Sequence, residues 1–235
     1  MIKGIYLAGR SLNTRTKNMD IIANNLANIS TTGYKREVPF SEILTAEGKT
    51  TIRKFTDYKQ GELLPTSNPF DLGVFGNGAF VVQTDRGEEL TRDGRFKIDE
   101  KGSLVTNDGN KVMGKNGEIN ISDLMLGQDQ TISVTSQGEI KVGKNIVDTL
   151  LMAKLDGSRE YKRTSGSNFT PADGELDYAN EEEYQITQGF LEESNINPII
   201  EMEAMIQINH DYGSSHKVIN ILDQSLEKAN EMGRV

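Results

Sequence analysis

Apolar residues recur every seven positions at the two ends of the chain, and the middle lacks this pattern. Ile5, Leu12, Met19 and Leu26 form one track, with Ala8, Ile22 and Ile29 beside it. Met205, Tyr212, Ile219 and Leu226 form the other, with Ile208, Leu222 and Ala229 alongside. A seven-residue apolar repeat marks a helix whose narrow stripe meets another helix. Neither helix buries that stripe alone, so the pattern predicts association through the ends. The first helix is expected over residues 2–30, about 40 Å at 1.5 Å per residue. Gly33 suits the left-handed conformation that stops a helix. The second helix has a marked start. Asn197 is an N-cap, Pro198 fits the first helical position, and Glu201 and Glu203 lie near the positive end of the dipole. It should run to about Glu231. Gly213, Ser214 and Ser215 weaken its middle, Gly alone by about 1 kcal/mol relative to Ala. Such small residues fit either a close approach of another backbone or a kink.

Between the ends the periodicity shortens. Residues 37–69 are punctuated by Pro39, Gly48, Gly61, Pro65 and Pro69 and read as an extended connector with short strand pieces. From Phe70 to about Leu155, short apolar or alternating runs are separated by Asp85-Arg86-Gly87, Asp99-Glu100-Lys101-Gly102, Asn107-Asp108-Gly109 and Lys115-Asn116-Gly117. Glycine at such sites supplies the positive φ of tight hairpins. Residues 156–185 read as a loop or loosely held return segment. The expected fold class is α+β: terminal helical segments 1–36 and 190–235, a connector 37–69, and a central antiparallel all-β domain 70–189, sandwich or barrel-like.

The 235 residues allow one or two domains with a real core, and 23 glycines fit many turns. A net charge of −9 argues against nucleic acid or an anionic membrane surface as the main partner. The chain has no cysteine, which removes disulfides and thiolate chemistry. No apolar run reaches the ~18 residues of a membrane span, so no membrane insertion is expected. The apolar runs at the N-terminus are broken by Arg10, Asn13, Thr14, Arg15 and Lys17, unlike a signal peptide, so work outside the cytoplasm would need another export route. Charge is uneven. Residues 1–36 hold six basic groups against Asp20, while residues 171–207 hold ten acids and no Lys or Arg. These segments either attract one another, within or between copies, or form two solvated faces.

Candidate chemistry is sparse. His210 and His216 lack the His-x₃-His spacing of a helical metal site. Gly73-Val74-Phe75-Gly76-Asn77-Gly78 is followed by no Lys-Ser/Thr and leads into a strand, so it is a poor phosphate loop. Asp99, Glu100 and Gly102 fail the calcium-loop pattern, and Glu181-Glu182-Glu183 reads as a solvated run. No catalytic residue, metal ligand or cofactor site is expected. The end of the first helix is more informative. Asn24 and Asn28 fall on its outer face, and Asn18 and Asn25 flank the seam at Leu26. A solvated helix favours Lys and Glu at such places. Amides and hydroxyls suit a face packed on further helices, where hydrogen bonds form without desolvating charge. A frayed end of low propensity is the plainer alternative.

At these residues the chain resembles the bacterial flagellar basal-body rod proteins, within the rod and hook axial family. Asn24-Asn25-Leu26-Ala27-Asn28-Ile29-Ser30-Thr31-Thr32-Gly33-Tyr34-Lys35 is similar to that family's N-terminal motif. Asn68-Pro69-Phe70-Asp71-Leu72 with Gly76-x-Gly78-x-Phe80, then Thr91-Arg92-Asp93-Gly94-Arg95-Phe96, resemble its β-domain motifs. Gly189-x-Leu191-Glu192-x-Ser194-Asn195-Ile196-Asn197-Pro198 with Glu201-Met202 resembles the segment leading into its C-terminal helix. Length and a single small β domain resemble a rod subunit more than the longer hook protein, and 107–121 with 155–169 are nearer proximal than distal rod members.

The resemblance implies terminal helices that pair as an antiparallel coiled coil and stack with copies of the chain and other rod and hook axial proteins into a hollow shaft. It further implies passage through the flagellar type III export apparatus to the basal-body rod outside the cytoplasmic membrane, and transmission of torque. The expected assembly interface is Ile5, Leu12, Met19, Ile22, Asn24, Asn25, Leu26, Asn28, Ile29, Gly33, Tyr34, Met205, Ile208, Tyr212, Ile219, Leu222 and Leu226. One departure stands out: the family often has Arg where Asn209-His210 stands, so a salt bridge expected there is missing or replaced. Two alternatives remain at this stage, a helical-hairpin adaptor with a β recognition domain and an enzyme with a β-domain active site. The lack of a paired acid–base set counts against the enzyme, and the uncharged helix face against the adaptor.

Overall fold

The computed structural model describes residues 2–44, 49–122 and 131–232, a few side chains excepted. Helix α1 spans Ile2–Ala27 and α2 spans Pro198–Met232, and short β-strands lie between them. The mixed α and antiparallel β class is the one expected. α1 ends three residues earlier than its pattern suggests. The amide of Asn28 is shared by the carbonyls of Asn24 (3.2 Å) and Asn25 (3.0 Å), and the following Ser30, Thr31 and Thr32 are weak helix formers. Gly33 then takes φ 67°, as a terminating glycine does. At α2, the Asn197 side-chain oxygen accepts from the amides of Ile199 (3.0 Å) and Ile200 (3.4 Å), so the cap forms. The helix continues through Gly213, where Ser214 and Ser215 return hydrogen bonds to the carbonyls of His210 and Asp211, both at 2.9 Å.

The chain forms two compact units that divide it differently from the expected boundaries. The helical unit comprises Met1–Asn28, Glu37–Thr56 and Ile196–Val235, and the β unit comprises Ile29–Arg36 and Asp57–Asn195. The connector expected over 37–69 is therefore split. Its first part is an antiparallel hairpin, β1 (Glu37–Leu44) with β2 (Lys49–Thr56), eight residues each. It belongs to the helical unit because the backbone of Glu37 bonds the Asn25 side chain of α1. The second part belongs to the β unit. Leu63–Pro65 pairs with Phe190–Glu192, and the Tyr58 ring lies edge-on to Tyr161 and Phe169 at 5.7 and 5.8 Å.

The β unit is organised by the strand Gly78–Thr84, which lies within a nine-stranded antiparallel sheet. It pairs with Gly87–Thr91, Lys111–Gly114 and Met152–Lys154. Its side chains alternate between two cores. Phe80 and Val82 enter the larger one with Leu72, Val112, Ile140 and Leu150. Ala79 and Val81 enter the smaller one with Leu90, Leu155 and Phe169. Burial on both faces explains why Ala79–Val82 reads as a continuous apolar run. Gly87, Gly102, Gly109 and Gly117, which close the four expected turns, all have positive φ. Residues 156–185 are more ordered than a loose return. Tyr161–Arg163 and Asn168–Pro171 pair with each other, and the latter extends the sheet beyond Gly87–Thr91.

Candidate assembly interface

Three contacts relate the helices of the helical unit. A Cβ on Gly4 would lie 3.6 Å from Leu222, Arg15 forms an ion pair with Asp211, and the Asn25 amide donates to Glu201 at 3.1 Å. Residue numbers rise along α1 as they fall along α2, so the two run antiparallel. Ile22 is buried, and Leu12, Met19, Leu26, Met205, Ile208, Ile219, Leu222 and Leu226 are half-buried. Tyr212 is slightly more open, and Ile29, half-buried, follows the end of α1. The side chain of Ile5 lies outside the described residues. Near Asn209-His210, where a salt bridge was expected to be missing or replaced, Arg15 of α1 forms an ion pair with Asp211 of α2.

Asn25 corrects the expectation placed on it. It is fully buried inside the helical unit, not presented to another chain. Its Nδ2 donates to the Glu37 carbonyl (2.8 Å) and to Glu201, and its Oδ1 accepts the Glu37 amide (3.0 Å). Buried Glu37 meets Lys54 at 2.9 Å. Asn25 thus joins α1, β1 and α2 where a charged or apolar residue would leave buried polar groups unmatched. Asn24 remains exposed and Asn28 half-exposed, with the Asn28 amide donating to Asn24.

Several large apolar side chains of the helical unit are exposed among polar ones. Ile199, Ile206 and Ile221 lie roughly opposite the seam positions of α2 at 3.6 residues per turn and Met202 lies at their flank; all are exposed, Ile199 by 70%. Tyr6 and Leu7 are exposed on α1. These exposed side chains lie off the tracks that the two helices turn toward each other.

Gly33 and Tyr34, expected at the interface between subunits, are also corrected: both are buried inside the β unit. The Gly33 amide donates to the Glu192 carbonyl (2.8 Å), and a Cβ there would stand 2.5 Å from the Arg92 carbonyl carbon. Only glycine fits that approach at that φ. The Arg163 guanidinium covers the Tyr34 ring at 4.1 Å. The next residue, Lys35, is fully buried and meets Glu192 at 2.6 Å. Arg92 reaches the other Glu192 oxygen at 2.9 Å, and the Gly61 amide donates to the first at 2.9 Å. Burial lowers the pKa of Lys35, and Glu192 offsets part of that cost. Burial likewise lowers that of Arg92 against Glu192. Asn195 completes the clamp: Oδ1 accepts the Arg36 amide (2.7 Å) and Nδ2 donates to the carbonyls of Asp57 (2.8 Å) and Lys59 (2.9 Å). Sequence reasoning missed Lys35, Arg92, Glu192 and Asn195 as a group. Their signal was there, since all four stand inside the motifs quoted above, but a motif does not say which of its members touch.

Among the described residues no group of His, Cys, Asp or Glu is arranged to hold a metal ion, and no helix is long and apolar enough to cross a membrane. His210 and His216 are exposed. The glycine-rich stretch 73–78 is not a phosphate loop: Leu72–Gly76 pairs with Tyr184–Gln188. Beside the larger core, a cavity lined by Phe70, Leu72, Leu104, Ile119 and Ile140 offers no polar group.

Family models match three stretches in order: residues 5–35, "Flagella basal body rod protein"; 73–142, "Flagellar hook protein FlgE/F/G D1 domain"; and 187–232, "Flagellar basal body rod FlgEFG protein C-terminal". The chain is 30% identical over 256 residues to the flagellar basal-body rod protein FlgF of Caulobacter vibrioides, with 100% of both chains covered. The chain belongs to the flagellar basal-body rod protein family. It is also 31% identical to the FlgF protein of Rhizobium meliloti, over 98% of each chain. With the FlgG protein of Buchnera aphidicola subsp. Schizaphis graminum it shares 31% identity, over 99% of this chain and 100% of that one. The two terminal rod-family matches contain most of α1, all of α2, and both Lys35 and Glu192 of the clamp.

Proposed function

We propose that this chain is a structural subunit of the flagellar rod that polymerises through its terminal helices into the shaft carrying torque from motor to hook. Its place is the flagellar basal body, beyond the cytoplasmic membrane, reached through the flagellar type III export apparatus. The helices pair as an antiparallel coiled coil through Leu12, Met19, Ile22 and Leu26 on α1 and Met205, Ile208, Tyr212, Ile219, Leu222 and Leu226 on α2. Their outer faces, with Asn24 and Asn28, meet copies of the chain and other axial proteins. The relatives named FlgF support a proximal position. The chain acts by packing, without a catalytic centre or cofactor.

One observation carries this reading: Ile199, Met202, Ile206 and Ile221 of α2 stay exposed, away from the face turned toward α1. Large apolar side chains exposed on a paired helix have a use in a helical assembly and are a liability on a monomer. The test is complementation of cells lacking the gene by a chain without residues 196–235. The truncated chain should be absent from purified basal bodies and should leave the cells non-motile. Restored motility would remove assembly from the terminal helices.

A further inference from the structure

One strand pair of the β unit is held unlike the rest. In the nine-stranded sheet, Gly78–Val82 are all buried, with side chains in both cores. In the pair Leu63–Pro65 with Phe190–Glu192, Glu192 alone is buried, and its side chain is charged. Polar bonds hold the stretch 190–195 instead. Glu192 takes Lys35, Arg92 and the Gly61 amide on its carboxylate and the Gly33 amide on its carbonyl. The Glu193 amide donates to the Glu62 carbonyl at 2.8 Å. Asn195 binds the backbone of Arg36, Asp57 and Lys59. Upstream, Tyr184 and Ile186 are anchored in the larger core. The change from apolar to polar anchoring falls at Gly189, which has φ 78° and open space around its Cβ position. The Gly189 amide donates to the Asp71 carbonyl (2.7 Å) and its carbonyl accepts the Thr66 amide (2.8 Å), so this point itself stays fixed.

Release of 190–195 exposes little apolar surface. The segment Gly33–Arg36 that it holds contributes Tyr34, which lies in neither core and whose ring is covered by Arg163. Each neutral hydrogen bond broken is replaced by one to water, at a net cost of about 1 kcal/mol. Lys35, Arg92 and Glu192 regain hydration. Opening the sheet would instead strip both cores. The two events therefore separate in free energy, as local and global openings do. We infer that residues 190–195 form a strap, hinged at Gly189, which opens as one piece with Gly33–Arg36 while the nine-stranded sheet stays closed. Arg36, Asp57 and Asn195 each end a stretch of the β unit, so the same opening frees the chain where it passes to the helical unit. Opening of this strap is a property of the single chain and does not depend on the assembly reading above.

Amide hydrogen exchange of the purified full chain, read residue by residue at low denaturant, tests the strap. The amides of Gly33, Arg36 and Gly61 donate to strap residues, and Glu193 belongs to the strap. Those of Val81 and Leu104 donate to the carbonyls of Leu151 and Ile119 and report on the sheet. The first four should follow one opening isotherm, lying below that of the sheet pair. A single isotherm for all of these amides overturns the strap. Asn195→Ala then asks whether the strap acts as a unit. It removes the bonds to Arg36, Asp57 and Lys59 but leaves in place the acceptors of the Gly33, Gly61 and Glu193 amides. Exchange at those three should rise together, by about tenfold or more, with Val81 and Leu104 unchanged. Faster exchange at Arg36 alone, or an equal rise in the sheet, overturns the proposal. Should Asn195→Ala fail to fold, the wild-type isotherms decide by themselves.

Discussion

Lys35 and Glu192 stand 157 positions apart and meet at 2.6 Å with both side chains fully buried. Arg92 approaches the same carboxylate, so two cations share one anion inside the β unit. Such a site is costly to form and more costly to break. Glu192→Gln keeps the shape and removes the charge, leaving Lys35 and Arg92 buried without a counter-ion. The expected loss is about 3–5 kcal/mol, read from denaturant unfolding of the purified chain followed on β structure. A loss below about 1 kcal/mol would mean that water reaches the cluster and the pair behaves like a surface bridge.

Gly33 tests the same clamp from the backbone side. Its φ of 67° and the 2.5 Å approach of the Arg92 carbonyl carbon leave no place for a methyl group. Gly33→Ala should cost about 2–4 kcal/mol and lower the thermal midpoint of the β unit. By contrast, Gly109→Ala faces open space and should pay only for its positive φ, about 1 kcal/mol. Equal effects at the two glycines would assign the cost at Gly33 to φ alone.

How far the chain could be read without coordinates varied with the kind of information. The heptad tracks picked out positions of α2 that are half-buried, because a seven-residue period is a long and redundant signal. Turn glycines at 87, 102, 109 and 117 were legible because positive φ has few other tenants. The hairpin at 37–56 was not: Pro39 weakens a strand pattern, and its pairing with β2 leaves no trace in local composition. Tyr161–Arg163 and Asn168–Pro171 have too few residues for any period to show. The buried charges were the hardest. Lys35, Arg92 and Glu192 look in sequence like any solvated charge, and only long-range folding brings them together. Asn25 was hidden differently, since its neighbours Asn24 and Asn28 share its chemistry and only helix rotation separates inside from outside.

Tyr161 gives the β unit a pH-dependent contribution. Its hydroxyl donates to the Lys154 carbonyl at 2.7 Å, and burial pushes its pKa up to about 12. An unfolded chain releases that proton near pH ~10. Between these values the folded state holds a proton that the unfolded state has lost, so stability falls as pH rises. The contribution is fully present below about pH 10 and is lost as pH climbs through the folded pKa. Unfolding midpoints measured at pH 9 and again well above 10 should diverge more for the wild type than for Tyr161→Phe. Parallel curves for the two proteins would remove Tyr161 as the source.

Asn24, Asn25 and Asn28 were grouped by sequence, and the structure gives them separate tasks that mutation can part. Asn25 is held by Glu37 and Glu201 inside the helical unit. Asn25→Glu would add a buried carboxylate beside that of Glu201 and should destabilise the isolated chain by about 3 kcal/mol or more. Asn24 and Asn28 lie nearer solvent, one turn apart, Asn24 in the last turn of α1 and Asn28 just beyond its end. Replacing both with Glu places like charges at i and i+4 but improves helix propensity, so the isolated chain should change by about 1 kcal/mol or less. If their face packs on a neighbouring subunit, the same pair of charges is desolvated there and incorporation fails. The expected result is a stable purified protein, normal export, and no recovery of the Asn24→Glu, Asn28→Glu chain in basal bodies. Full motility of cells carrying it would show that this face of α1 meets only water in the rod.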